Sequence, residues 1–321
     1  MTIAWLFPGQ GSQVVGMGRD LSTESPAAKA VFDQADETLG FPLARYCFEG
    51  PEKDLTATEN AQPALLTMSI ALVRALETLL PPEALPQPQA VAGHSLGEYA
   101  ALVVGGAFDF PTALRLVRRR GELMAAARQG TMAAIIGLDE QILMQVCLTA
   151  TAECGAPVVI ANYNAPDQLV ISGENAAVAK ACALAKAHGA RRALPLKVSA
   201  AFHSPLMSHA AQEMAKALTA ASITDLTVPL IANVTGTPLT TASQVGQELG
   251  RQITSPVVWT TSVQQMGHLG ITTFIEFGPG TVLTSLVKRI LPSAHLINLT
   301  NWATLQAFAQ QIRSPHGQEQ G

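Results

Sequence analysis

Residues 91–100 read VAGHSLGEYA. Ser95 stands between Gly93 and Gly97, with His94 before it and Leu96 and Glu98 after it. Gly-x-Ser-x-Gly is the pattern of a nucleophile on a sharp turn from strand to helix, whose hydroxyl attacks a carbonyl and carries the acyl group as an ester. The same residues also read as a plain small-residue turn, so the flanking elements and a partner base have to decide.

A serine nucleophile needs a proton acceptor, and the chain holds seven histidines. His94 adjoins Ser95, and neighbours on such a turn point apart. His188 precedes Gly189 and reads as a helix C-cap. His209 and His268 fall in helical segments where a solvated histidine is the default, and His316 lies in a polar tail. Two remain. His203, in VSAAFHSPLM, sits where a strand-like segment gives way to a helix near Ser204–Pro205, the kind of element end that gathers catalytic side chains in α/β proteins. His295 comes late in the chain, where an ordinary α/β-hydrolase keeps its histidine. LVRRRGELM adds a run of arginines, Arg118 to Arg120. Successive helical positions lie about 100° apart, so the three cannot share one face. PGQG at 8–11 reads by itself as a turn.

The positioning elements follow from periodicity. Strand-like runs are expected at Ile3–Phe7, Gln89–Gly93, Thr131–Leu138, Pro157–Asn162, Gln168–Ser172, Arg191–Lys197, Val228–Asn233 and Thr273–Glu276. Helical runs are expected at Pro26–Leu39, Gln62–Leu80, Leu96–Val104, Phe110–Ala127, Glu140–Ala152, Glu174–His188, from Pro205, and at Val257–His268. Ser95 therefore falls between a strand and a helix. The order β-α-β-β-α-β in the middle of the chain is the split-βαβ pattern. It predicts a ferredoxin-like subdomain over 129–198, inserted in a larger α/β core made of 1–128 and 199–313. The polar SPHGQEQG at 314–321 is expected to be disordered.

With 321 residues and a net charge of −4, the chain can bury a large core and lacks the basic excess of a nucleic-acid or membrane-surface protein. MTIAWLFPGQGSQ has no basic n-region and is not a signal peptide. The apolar stretch Pro63–Leu80 carries Arg74 and Glu77 and reads as a buried helix, not a membrane span. Cys47, Cys147, Cys154 and Cys182 show no metal spacing and no CxxC, which fits free thiols in a reducing cytoplasm.

An ordered series of motifs runs through the chain: FPGQGSQ at 7–13, QPAL at 62–65, GHSLGEY at 93–99, RG at 120–121, N-x-N-x-P at 162–166, FHSPLM at 202–207, QITSPVVW at 252–259 and EFGPGxVL at 276–283. Together they resemble the malonyl-CoA:acyl carrier protein transacylases of type II fatty-acid synthesis, and with them the acyltransferase domains of polyketide synthases. The resemblance implies an α/β-hydrolase-like core with a ferredoxin-like insert, and malonyl transfer from malonyl-CoA to the phosphopantetheine thiol of an acyl carrier protein. It implies Ser95 as nucleophile and His203 as base and acid. The main-chain carbonyl of Gln252 would orient the histidine in place of a triad carboxylate, and the N–H groups of Gln10 and Leu96 would form the oxyanion hole. Arg120 would pair with the malonyl carboxylate, leaving Arg118 and Arg119 on the surface or facing a partner. Gln62 and His94 would line the same region, and Asn162 would lie near the phosphopantetheine arm. Lys288 and Arg289 match positions facing the carrier protein. No cofactor or metal is implied, since the phosphopantetheine belongs to the substrates; a cytoplasmic monomer is the expected state.

Some residues depart from the common bacterial pattern. Several fatty-acid enzymes have a serine before the catalytic histidine, where this chain has Phe202. Ala200-Ala201-Phe202-His203 resembles the His-Ala-Phe-His signature of malonyl-selecting polyketide acyltransferases except at Ala200. The pathway therefore stays open between a fatty-acid transacylase, a stand-alone polyketide acyltransferase and a malonate decarboxylase transferase subunit. A serine thioesterase and a non-catalytic carrier-binding protein are the readings from other classes.

Overall fold

The computed structural model describes residues 2–198 and 200–314. Ser314 closes the last helix through its N–H on Gln310 O at 3.1 Å. The rest of the expected disordered tail, with His316, lies outside the described residues.

The chain is α/β, and the described residues form ten strands in two sheets: β1 (Ile3–Phe7), β2 (Ala90–Gly93), β3 (Thr131–Ile136), β4 (Val158–Ala165), β5 (Gln168–Gly173), β6 (Arg192–Pro195), β7 (Leu230–Ile231), β8 (Pro238–Leu239), β9 (Thr273–Phe277) and β10 (His295–Leu299). The larger sheet runs β10-β9-β1-β2-β7-β8 and is parallel except for the β7–β8 pair. Its central strands are buried along their whole length, as parallel strands covered by helices on both faces must be. That is why IAWLF and AVAG are unbroken apolar or small runs. The smaller sheet, β4-β5-β3-β6, is antiparallel, and the helices Glu140–Cys154 and Asn175–Ala187 pack on it around their own apolar cluster.

The two layers meet beside β4. A bulge at Ile160/Asn162 lets β4 bridge to the loop before the helix Trp259–His268: Tyr163 N donates to Val257 O, and Val257 N to Ala161 O, each at 2.9 Å. A second bulge carries β4 past the expected strand end at Asn162 to Ala165, which leaves Pro166-Asp167 as the turn to β5.

Several element ends differ from expectation. The helix expected over 62–80 runs Thr58–Leu79, which puts Pro63 inside it. Proline cannot donate to the carbonyl four residues back. Arg118 fills that gap: its Nη1 donates to Glu59 O at 3.0 Å and to Asn60 Oδ1 at 2.7 Å, and its guanidinium lies over the Phe41 ring. The expected surface role for Arg118 is therefore corrected to a structural one. Arg119 is half exposed, beside Glu122 and Glu213. The helix expected from Pro205 opens as a 3₁₀ turn, Pro205–Met207, capped by Ser204, and continues as Ser208–Thr219. The strand expected over 228–233 is only Leu230–Ile231, since Pro229 has no N–H to give and Asn233 turns into the site below.

Candidate active site

β2 ends at Gly93, the helix Gly97–Val104 follows, and Ser95 holds the turn between them at φ 52°. The two glycines are dictated by close approach. A Cβ on Gly93 would meet the carbonyl of Gly97 at 2.0 Å, and one on Gly97 would meet Phe7 O at 2.0 Å. His203 is also left-handed, at φ 56°. For non-glycine residues such backbones cost free energy and persist where the surroundings over-determine them.

His203 Nε2 lies 2.7 Å from Ser95 Oγ. Its Nδ1 faces two main-chain carbonyls, Gln252 O at 2.9 Å and Ser255 O at 3.0 Å. Both can only accept, so Nδ1 carries the hydrogen and Nε2 is free to take the Ser95 proton. Burial lowers the His203 pKa to about 3, helped by the charge on Arg120 and opposed by the two carbonyls. The ring is neutral at neutral pH, as a base must be.

Arg120 is 1% exposed. Its Nη1 donates to Gln62 Oε1 at 2.8 Å, and its Nη2 to Ser95 Oγ and to Gln252 Oε1, both at 2.9 Å. Its Nε is buried with no partner among the described residues. Gln62 is held in turn by Met124, with Nε2 3.4 Å from its sulfur. His94 Nε2 meets Asn164 Oδ1 at 2.8 Å, with Trp259 beside its ring.

Ser95, Arg120 and His203 line one cavity of about 750 Å³ together with Gln10, His94, Leu96, Asn162 and Phe202. Among the described residues the main-chain N–H groups of Gln10 and Leu96 have no hydrogen-bond partner. The Gln10 side chain is anchored outside the centre by Nε2 on Thr58 Oγ1 at 3.1 Å. Lys53 and Lys197 also reach the cavity wall.

Lys288 and Arg289 do not join it. They sit on the helix Val282–Ile290, where Lys288 Nζ donates to Pro292 O and Arg289 is bound by Asp167 and Gln168. His295, the rival base, opens β10 at an exposed position and lines no part of the cavity. His188 is a helix C-cap with its ring on Leu184 O, and His209 and His268 are exposed on helices. The four cysteines are free thiols. Among the described residues no helix is long and apolar enough to cross a membrane.

The sequence reading missed three groups that hold the site. Ser255 supplies a second carbonyl to His203. Asn233 Oδ1 accepts from Ser95 N at 2.6 Å while its Nδ2 donates to Gly93 O at 2.7 Å. Glu98, fully buried one turn below Ser95, accepts from Asn233 and Gln252. A lone acid in the apolar helix GEYAALVV was the available signal for Glu98; an asparagine just past a strand end was the one for Asn233.

Residues 4–307 match the acyl transferase domain family. The chain is 46% identical over 314 residues to the malonyl CoA-acyl carrier protein transacylase of Bacillus subtilis, covering 97% of each. An acyl carrier protein S-malonyltransferase from Vibrio cholerae superposes with a TM-score of 0.92 at 42% identity, over 96% of this chain and all of that one. A malonyl-transacylase solved in complex with its type II polyketide synthase acyl-carrier protein does so with a TM-score of 0.92 at 38% identity, over 97% of this chain and all of that one. A serine held by a neutral histidine and a buried arginine, in a chain with this much likeness along its length, has one family to belong to: the chain is a member of the acyl transferase domain family.

Proposed function

We propose that this protein moves a malonyl group from malonyl-CoA to the phosphopantetheine thiol of an acyl carrier protein, through a malonyl ester on Ser95. The observation that carries the proposal is the Ser95 hydroxyl, held between a base at 2.7 Å and a buried guanidinium at 2.9 Å on the wall of a large cavity. Ser95 Oγ attacks the thioester carbonyl and its proton passes to His203 Nε2. The carbonyl oxygen becomes an oxyanion facing the unpartnered N–H groups of Gln10 and Leu96; one such donor is worth about 3 kcal/mol in acyl transfer. The C–S bond breaks and His203 protonates the departing CoA thiolate. In the second half the carrier thiol gives its proton to His203 and attacks the ester. The C–O bond breaks and Ser95 regains its hydrogen.

The malonyl carboxylate has a natural seat at Arg120, whose Nε is unpaired and whose Nη2 can exchange Ser95 for a carboxylate oxygen. A thioesterase would have no use for a cation buried this deeply beside its nucleophile. Asn162 on the cavity wall fits the phosphopantetheine arm. Lys288, exposed on its helix, stays with the carrier-facing reading; Arg289, committed to Asp167, gives it less support. The chemistry needs no resident cofactor or metal. The proposal extends to the architecture: an α/β-hydrolase-like core over 1–128 and 199–313 with a ferredoxin-like unit over 129–198, supported by the strand order β4-β5-β3-β6 in a β-α-β-β-α-β segment.

Intact mass after rapid quench with malonyl-CoA alone tests the reading. The protein should gain one malonyl mass, and Ser95→Ala should gain none. An unchanged mass in the parent, or a label that survives Ser95→Ala, removes Ser95 from the mechanism.

A further inference from the structure

We propose that Glu98 is a positioning residue for this acyl transfer: its buried carboxylate grips the amides of Asn233 and Gln252, and through them it sets the Ser95 backbone, the Arg120 fork and the His203 ring. The inference rests on the function proposed above and adds a group that touches no substrate.

Glu98 Oε1 accepts from Asn233 N at 2.8 Å and from Asn233 Nδ2 at 2.9 Å, and its Oε2 accepts from Gln252 Nε2. Asn233 in turn holds Ser95 N and Gly93 O, the two ends of the turn that raises the nucleophile. Gln252 does more. Its Nε2 donates to Ser95 O at 2.9 Å, its Oε1 receives Arg120 Nη2, and its main-chain carbonyl receives His203 Nδ1. Two amides thus hold nucleophile, base and carboxylate receptor, and one carboxylate holds both amides.

The contacts also fix the amide orientations. Three N–H donors converge on Glu98, so the carboxylate accepts at both oxygens. With Oε2 taking Gln252 Nε2, the Gln252 amide can only present its oxygen to Arg120. With Oε1 taking Asn233 Nδ2, the Asn233 amide can only present its oxygen to Ser95 N. Glu98→Gln removes this asymmetry: the new side-chain nitrogen would face donors, and one of the two amides would have to turn. The charged and titratable groups around Glu98 are Glu248, from the helix Ala242–Gln252, and Arg120 and Tyr99. Burial, and after it Glu248, raise the Glu98 pKa well above the ordinary carboxylate value, against the pull of the three donors; the proposal rests on those three hydrogen bonds.

A carboxylate that only held the fold together would change the amount of active enzyme, not how each active site chooses its substrate. The test is therefore the ratio of acylation kcat/KM for malonyl-CoA to that for acetyl-CoA, per active site counted by acyl-enzyme burst, in Glu98→Gln and Glu98→Asp. Glu98→Gln should lose about 10- to 100-fold on malonyl-CoA, as typical for supporting groups one contact removed from a site. It should lose several-fold less on acetyl-CoA, which makes no demand on the Arg120 fork. Glu98→Asp keeps the charge but is one methylene too short to span both amides, and should fall between. If Glu98→Gln does not fold, Glu98→Asp decides alone. A malonyl-to-acetyl ratio equal to the parent's in the folded variants overturns the proposal, whatever the loss of melting temperature. If the parent itself forms no malonyl-enzyme, it is the function that fails, and that is seen before any variant is made.

Discussion

Arg120 Nη2 donates to Ser95 Oγ at 2.9 Å, the same oxygen that faces His203 Nε2 at 2.7 Å. In the function proposed above, the group that receives the malonyl carboxylate is thus also a donor to the nucleophile. The positive charge of a guanidinium beside Oγ stabilises a developing alkoxide, and the same charge depresses the proton affinity of the neighbouring imidazole. On the proposed reading, one residue therefore couples substrate recognition to the readiness of the hydroxyl and of its base.

The first expectation concerns pH. The His203 pKa, lowered to about 3 from the ordinary 6.5, places the protonation of the base well below neutrality. Malonyl-CoA kcat/KM should stay level from pH 8 to pH 6, without the histidine limb near 6.5. In Arg120→Ala the limb should move upward, since the arginine charge is the second cause of the depression. The stability sign follows. The unfolded chain binds a proton on this histidine below about 6.5 and the folded one does not until about 3, so this group's contribution, full above 6.5, is lost as pH falls across that window. Buried Glu98 and Glu276, with pKa values raised by desolvation, act with the opposite sign: their contribution is full below 4.5 and is lost as pH rises through their folded values. A limb in the parent near 6.5 would show that His203 is solvated.

Gly97 and Gly246 should respond oppositely to alanine. At Gly97 the added carbon meets Phe7 O at 2.0 Å and Pro8 O at 2.9 Å, both main-chain atoms that cannot yield without separating the helix from β1. Gly97→Ala should cost about 3 kcal/mol or more and displace the loop that carries Gln10. At Gly246, inside the helix Ala242–Gln252, the nearest contact is Ile223 at an ordinary 3.7 Å. Gly246→Ala should stabilise by about 0.5–1 kcal/mol. Urea midpoints at constant slope measure both.

What the sequence made legible were the residues whose role is tied to a local turn. Gly-His-Ser-Leu-Gly between strand and helix points to Ser95, while position narrowed the base only to His203 and His295, and the resemblance chose His203. The supports were hidden because each is distant in sequence from what it holds: Asn233 from Ser95, Ser255 from His203, Glu98 from Gln252. Gln252 came into view only by resemblance, since a main-chain carbonyl leaves no mark on residue type. Among the elements, β10 was missed because HLINL is half exposed. The helix Ala242–Gln252 went unread although Val245 and Leu249 stand at helical spacing on its buried face, because it carries two glycines and few apolar residues. Its capping box, Thr241 with Gln244, was a readable start signal, as was Asn301 with Thr304 before the helix Trp302–Arg313.

Phe202 lines the cavity and should select against a branched acyl group. Ala200, two residues before it, is fully buried, so a larger side chain there would overpack the core. Phe202→Ser alone is the better variant. One methyl in such a pocket is worth about 1–3 kcal/mol, so the malonyl preference over methylmalonyl-CoA should shrink about tenfold without reversing. An unchanged ratio of kcat/KM would place the selector elsewhere on the wall.

Arg120 separates a malonyl transferase from a generic esterase, and its two variants should show this. Removal of the guanidinium leaves the malonyl carboxylate desolvated and unpaired, which costs about 2–5 kcal/mol for a buried charge pair, or roughly 30- to 3,000-fold in kcat/KM. Acetyl-CoA brings no carboxylate and escapes that loss. It does not escape entirely, because Arg120 also donates to Ser95 Oγ. Acetyl transfer in Arg120→Ala should therefore fall modestly, by far less than malonyl transfer. Arg120→Lys restores a charge but not the fork: a single ammonium cannot reach Gln62, Gln252 and Ser95 as the guanidinium does, so malonyl activity should return only in part. The measurement is kcat/KM for both thioesters in the parent and both variants. Equal losses for the two would assign Arg120 to the nucleophile alone, and full recovery by lysine would show that charge, not geometry, receives the carboxylate.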